Sequence, residues 1–208
     1  AIVLPARVTI TPALSWLAPH ITTCMEKTLK EKLPLLVSSA EFQPEELRFT
    51  FPFAGISDLH AYQIGTQTLQ LCLNPANPLR SLNKDDLSTL LRGDFTTWEE
   101  FFLTCTSCTF AEVGNMTFDA PFQFYLYAQE SPYLTVLEQA LGMSSAEYTG
   151  ALFIPDAETL LATLQLERGS AGFLPTQWIP QGFTTVNITD LPVTALELPV
   201  LAVFSSEP

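Results

Sequence analysis

The stretch GTQTLQLCLNPANPLRSLNKDDLSTLLRGDFTTWEEF, residues 65–101, decides how this chain is organised. Thr68–Leu73 is apolar and strand-like. Asn74-Pro75-Ala76-Asn77-Pro78 ends that strand, because proline lacks the ladder donor and restricts the residue before it. A short helix is expected next, over 84–92. Asn83 caps it, Asp86 sits at its third position where a carboxylate favours the dipole, and Gly93 suits a left-handed stop. A strand that ends in a double X-Pro break and gives way to a new helical unit reads as a crossover between two lobes.

Working outward, the N-terminal side reads as a small α/β lobe. Residues 7–10 form a strand. Leu14, Leu17, Ala18, Ile21, Met25 and Leu29 make a helical stripe, with an irregular turn over 11–17 and the main helix over 18–32. Strands at 33–37 and 48–51 complete a β-α-β order before the crossover. On the other side, 122–127 is a strand. Ser131 caps a helix with Pro132 in its first turn, and Tyr133, Leu134, Leu137, Ala140 and Leu141 form its apolar face up to Gly142. Then follow a strand at 151–154, a helix at 157–168 that Pro155-Asp156 starts and Gly169 stops, strands at 171–174 and 184–188, and an apolar last strand at 198–204.

Composition removes several function classes. The 208 residues are 47% hydrophobic, enough for a sizeable core, and no apolar run reaches the roughly 18 residues of a membrane span. Nine Lys and Arg stand against 22 acids, a net charge of −13, which argues against nucleic-acid binding. His20 and His60 have no metal-like spacing, and no cofactor motif is present.

Four cysteines suit disulfides in an oxidising compartment. Cys105 and Cys108 follow the apolar run Phe101-Phe102-Leu103 and enter a loop, a setting that favours a structural disulfide over a redox pair. For Cys24 and Cys72 two readings stand, a pair within the first lobe or two buried free thiols.

Several of these segments resemble the phosphate-type (PstS-like) extracytoplasmic solute-binding proteins of ABC transporters. Asn74, Pro75, Asn77, Pro78 and Leu79, then Leu82, Leu87, Leu90, Leu91, Gly93 and Trp98, are similar to that family's crossover and the start of its second lobe. The resemblance implies an α/β, two-lobed type II periplasmic-binding-protein-like fold with two crossover strands. Lobe one would be 1–72 plus 198–208, lobe two 76–196, and the hinge 73–75 and about 197. A helix that follows the last strand in the family is not in this sequence. The implied function is hinged capture of a small solute for an importer, without catalysis. The implied partners are that solute and transporter membrane subunits, and the implied placement is extracytoplasmic, tethered through a lipid anchor outside this chain.

The family's phosphate-binding segments are altered here. Where a glycine-serine-serine-threonine cluster precedes Ala-Pro in the family, this chain has Ala13, Leu14, Ser15 and Trp16 before Ala18-Pro19. Where an arginine precedes Ser-Gly-Thr, it has Tyr127 before Ser131-Pro132-Tyr133, so the strongest donor for a dianion is replaced. The helix start at Ser131 is expected to keep unpaired N–H groups. Strand ends and helix starts line ligand sites in such folds. The candidate ligand residues are therefore Thr11, Ser15, Trp16, Phe53, Ala54, Gly55, Tyr127, Gln129, Glu130 and Ser131, which suit a neutral or cationic solute better than phosphate. Two rivals stand beside this reading: a sensory or scaffold domain that has lost ligand binding, and an enzyme, either thiol-redox through Cys105 and Cys108 or a hydrolase.

Overall fold

A computed structural model describes residues 7–30, 34–40, 43, 46–111, 118–128 and 131–204. In chain order the main elements are β1 (Arg7–Ile10), α1 (Ala18–Leu29), β2 (Leu35–Val37), β3 (Glu46–Thr50), β4 (His60–Leu73), β5 (Leu79–Leu82), α2 (Lys84–Leu91), α3 (Trp98–Thr104), β6 (Thr109–Phe110), β7 (Gln123–Tyr127), α4 (Pro132–Leu141), β8 (Leu152–Ile154), α5 (Ala157–Leu166), β9 (Ser170–Pro175), β10 (Thr185–Ile188) and β11 (Glu197–Phe204). The chain divides into two compact units, 1–67 with 198–208, and 68–197. It passes from one unit to the other twice, inside β4 and inside β11. The sequence expectation set those passages at 73–75 and about 197.

In the first unit β1 is central. It runs parallel to β2 and β3, and β11 lies antiparallel on the far side of β3. Val8, Thr9 and Ile10 are fully buried. The face carrying Thr9 is polar. Arg48, opposite Thr9 in register, donates through Nε to Thr9 Oγ1 (3.1 Å) and through Nη2 to the Glu46 carboxylate (3.2 and 3.3 Å). Both charged side chains are buried, so each needs the other. Burial raises the Glu46 pKa, but hydrogen bonds from Thr9 and from the Gln43 N–H, with the Arg48 charge, outweigh it and hold the carboxyl below its ordinary value.

In the second unit the strand order is β8-β7-β9-β4-β10-β5-β6. Its β7 is parallel to β8 and β9, β10 is parallel to β5, and the other pairs are antiparallel. Trp98 organises the core. It is 1% exposed and packs edge-on to Phe101 and Phe122. Its indole N–H donates to the Gly169 carbonyl at 2.9 Å.

The Asn-Pro break performs as its residues dictate. Asn74 Oδ1 accepts from Ala76 N, and Asn77 Oδ1 accepts from Leu79 N, two side-chain-closed turns in succession. Asn74 Nδ2 also donates to the carbonyls of Leu164 and Gln165, which the end of α5 leaves unpaired. Asn83 caps α2 through Asp86 N, and Thr97 with Glu100 forms a capping box on α3.

Three local expectations change. The segment after Pro78 is first a strand, β5, and only then the capped helix; four residues between breakers are too few for a periodic signal, and pairing with β10 and β6 makes the strand. Strand β4 begins eight residues earlier than the apolar run, because its first seven residues are exposed and carry no hydrophobic alternation. Gly169 is not a helix stop, since α5 ends at Leu166. It is glycine because an added Cβ would fall 1.7 Å from the Pro121 carbonyl oxygen.

Candidate functional site

In each unit the parallel strands end along one edge, and helical turns begin there, which is where α/β folds place ligands. In the first unit that edge carries Thr11, Ser15, Trp16, Phe53, Ala54 and Gly55. Thr11 follows β1, and its N–H donates to the Phe49 carbonyl (2.9 Å), tying β1 to β3. Its hydroxyl donates to Thr50 Oγ1 (2.9 Å), which donates on to the Phe51 carbonyl (3.1 Å). Pro12–Leu17 is a 3₁₀ turn leading directly into α1. Trp16 lies in that turn, and its indole N–H is buried without an intramolecular acceptor. Phe53, Ala54 and Gly55 follow β3 and are exposed, with Gly55 left-handed at φ 83°.

In the second unit the edge is formed by the ends of β7, β8 and β9. Tyr127 ends β7. It is 1% exposed, its ring lies 4.8 Å from that of Tyr133, and its hydroxyl has no intramolecular partner. Burial above all, then the neighbours Tyr133, Cys72 and Asp156, push its pKa up, so it stays a neutral phenol. Ser131 caps α4, while Gln129 and Glu130 lie outside the described residues. Two neighbours on this edge are not among the candidate ligand residues, Asp156 being read from sequence only as a helix start. Asp156 follows β8 and caps α5 through Thr159 N (2.7 Å), and Trp178 follows β9 and is half-buried. The signal for Trp178 was an aromatic three residues past a strand-ending proline.

The start of α4 differs from expectation. Its N–H groups are absent or taken: Pro132 has none, Tyr133 N donates to Ser131 Oγ (3.3 Å), and Leu134 N donates to the Ser131 carbonyl (3.0 Å). The helix start therefore presents no ready cradle for an anion. Nor does either edge carry a cation. Segments 11–17, 51–58, 127–133, 154–157 and 175–178 contain no Lys or Arg. Four of the cations elsewhere are engaged: Arg48 with Glu46, Arg80 with the carbonyls of Asn77 and Leu79, Lys84 with the Ala140 carbonyl, and Arg168 over the Phe118 ring. Indoles, a phenyl ring, hydroxyls, an amide and a carboxylate remain, a set that suits an uncharged or cationic molecule.

Cys105 and Cys108 form a disulfide, as expected. Cys24 and Cys72 do not pair. Cys72 is buried, as the second reading had it, but Cys24 is exposed on α1. His20 and His60 are exposed. No helix among the described residues is long and apolar enough to cross a membrane.

No family model matches the chain, and no curated protein does. Solved structures do. A structure described as that of a phosphate ABC transporter substrate-binding protein with bound phosphate, from Clostridium perfringens, superposes with a TM-score of 0.75 at 12% identity, over 96% of this chain and 86% of that one. An ABC-type phosphate transport receptor from Vibrio cholerae gives 0.63 at 12% identity, over 97% and 87%. The CcmR regulatory domain from Synechocystis, in complex with 2-PG, gives 0.60 at 11% identity, over 97% and 88%. The chain thus has an α/β fold like that of the type II periplasmic-binding proteins, a fold common to solute-binding transport receptors and regulatory domains.

Proposed function

We propose that the chain is a non-catalytic, extracytoplasmic binding protein that captures a small neutral or cationic solute and delivers it to an ABC-type importer. Thr11, Ser15, Trp16, Phe53, Ala54 and Gly55 would contact the solute from the first unit. Tyr127, Gln129 and Ser131 would do so from the second, with Trp178 and Asp156 added to them. The observation that supports this reading best is the composition of the two strand-end edges. They hold unpartnered indole and phenol donors, exposed aromatic surface and a carboxylate, and no cation. Phosphate, bound in the Clostridium structure, is disfavoured for this chain. A dianion needs charge-assisted donors, and the start of α4 has none free.

A second reading is a sensory or scaffold domain that keeps the fold and has lost ligand binding. The internally satisfied start of α4 favours it, and so does the regulatory domain among the similar structures.

A thermal-shift panel of phosphate, sulfate, molybdate, amino acids, polyamines and sugars separates the readings. A ligand at a hundredfold its Kd adds about 2.7 kcal/mol, which moves the Tm by roughly 5–10 °C for a chain of this size. A shift with amino acids, polyamines or sugars is the expected outcome. A phosphate shift would overturn the ligand class, and a flat panel would leave the sensory or scaffold reading in its place.

A further inference from the structure

Asp86, Cys105 and Cys108 are gathered beside β5 and β6, at the opposite end of the second unit's strand order from β7 and β8. Among the described residues they are the one group of three or more His, Cys, Asp or Glu side chains whose ligand atoms lie close together, all within 4.8 Å of one another. Each comes from a different fixed element. Asp86 is in the first turn of α2, held there by the Asn83 cap. Cys105 ends α3, its N–H donating to the Phe101 carbonyl at 2.9 Å. Cys108 leads into β6, which is pinned to β5 by pairing and by the Ser81–Thr109 hydroxyl contact at 2.6 Å. Ser107 between them accepts from Asn83 N (3.0 Å) and donates to Asp86 Oδ2, aiming the carboxylate at the sulfurs, and Cys105 Sγ lies 3.3 Å from the same oxygen. All three ligand residues are half-buried, so an ion from solvent can reach them.

We propose that this cluster becomes a zinc-type site when the disulfide is reduced. A dithiol reductant exchanges with the Cys105–Cys108 bond: the reductant leaves as its own disulfide, and Cys105 and Cys108 each gain a proton as thiols. A soft divalent cation then displaces both thiol protons and binds the two thiolates and the Asp86 carboxylate, with water as fourth ligand. Tetrahedral zinc places sulfur at about 2.3 Å and carboxylate oxygen at about 2.0–2.2 Å, so its ligand atoms stand roughly 3.5–3.8 Å apart. Cys105 Sγ already lies 3.3 Å from Asp86 Oδ2, and cleavage of the S–S bond frees the two sulfurs to move from bonding distance to that spacing; two intervening residues between cysteines is a spacing used by structural zinc sites. The site is independent of the solute edge, so a failure of either proposal leaves the other standing.

The full chain is reduced with dithiothreitol, freed of it without oxygen, and titrated with Co²⁺ and then Zn²⁺, beside the untreated chain. The expected result is one Co²⁺ per reduced chain with a thiolate charge-transfer band, displaced by one Zn²⁺, and no such band from the oxidised chain. Asp86→Asn should weaken zinc binding tenfold or more, and the double variant Cys105→Ser/Cys108→Ser should abolish the band. Cys24→Ser, which removes the exposed free thiol, should leave it unchanged. A reduced wild-type chain that shows no band overturns the proposal without recourse to variants. So does a band that survives in the double cysteine variant, or a zinc affinity unaltered by Asp86→Asn.

Discussion

The two units use the same α/β grammar and bury very different amounts of it. In the second, α4 buries Tyr133, Leu134, Leu137, Ala140 and Leu141, and α5 buries Ala157, Leu160 and Leu164. In the first, α1 is longer than either, yet Ile21 is the one buried residue among its described side chains. Exposed apolar side chains do not separate the units, since the first leaves Leu36, Val37, Tyr62, Ile64 and Phe204 exposed, with Tyr62 stacked on Phe204 at 5.7 Å, and the second leaves Leu103, Leu152, Phe153, Leu166 and Val193. A fully buried large apolar side chain contributes about 1.5–3 kcal/mol. The difference therefore separates a unit held by an aromatic core from one held largely by its central strand and a buried ion pair. Local opening begins where buried apolar contact is least, so the first unit should open at lower free energy.

The largest effect should come from the core of the second unit. Trp98→Ala removes three packed aromatic contacts and the indole hydrogen bond to the Gly169 carbonyl, which keeps Gln123 N as its remaining donor. A loss of about 3–5 kcal/mol in urea unfolding is expected. Ile21→Ala, at the one buried position of α1, should cost well under half of that. Equal costs would mean that the thin packing of α1 does not translate into stability.

Next in size is a pair of glycine substitutions with opposite signs. Gly169→Ala drives a Cβ into the Pro121 carbonyl, a backbone group that cannot swing away, and should cost about 1–3 kcal/mol or more. Gly65→Ala, in the exposed part of β4, meets nothing within 4 Å and requires no positive φ. It should be neutral or stabilise by up to about 1 kcal/mol, since alanine narrows the unfolded ensemble. A destabilising Gly65→Ala would show that the exposed half of β4 is more constrained than its surroundings indicate.

The ion pair gives the first unit a pH dependence of its own. The folded pKa of Glu46 is depressed below the ordinary 4.5 of the unfolded carboxyl. Its contribution is therefore fully present above about pH 4.5 and is lost as pH falls through the lower folded value. An acid titration followed by hydrogen exchange in β1 and β3 should show this loss, and Glu46→Gln should flatten it. An unchanged profile in that variant would place the acid sensitivity elsewhere.

Much of the second unit was legible because its residues signal locally. Asn83, Gly93, Ser131-Pro132, Gly142 and Asp156 all punctuate helices where the structure begins or ends them. Strand β5 was not legible, since its four residues become a strand only through partners roughly thirty and a hundred positions away. The candidate site divides in the same way. That phosphate donors are few could be read from Tyr127 and the missing glycine-serine cluster. That the N–H groups of α4 are already satisfied could not, because it depends on the turn geometry of Ser131 and not on its identity. The exposure of Cys24 was hidden for a related reason: the helical stripe predicts which face is apolar, not whether anything covers it.

The two free cysteines give the smallest perturbation and the most direct reading of the contrast. Cys24 sits exposed on α1 of the first unit. Cys72 sits in β4 at the centre of the second, paired in register with Gly172 and Thr185 and fully buried. Burial pushes its thiol up to about 12, which keeps it protonated at pH 8, and the folded unit encloses it. A native labelling reaction should therefore consume one thiol per chain quickly, and the second only at the rate at which the second unit opens. Trp98→Ala should accelerate that slow phase and leave the fast one alone; Ile21→Ala should do neither. The disulfide keeps Cys105 and Cys108 out of the count unless a reductant is added. If both thiols label quickly in the native chain, the core of the second unit opens as readily as the first, and the asymmetry between them is one of packing without being one of stability.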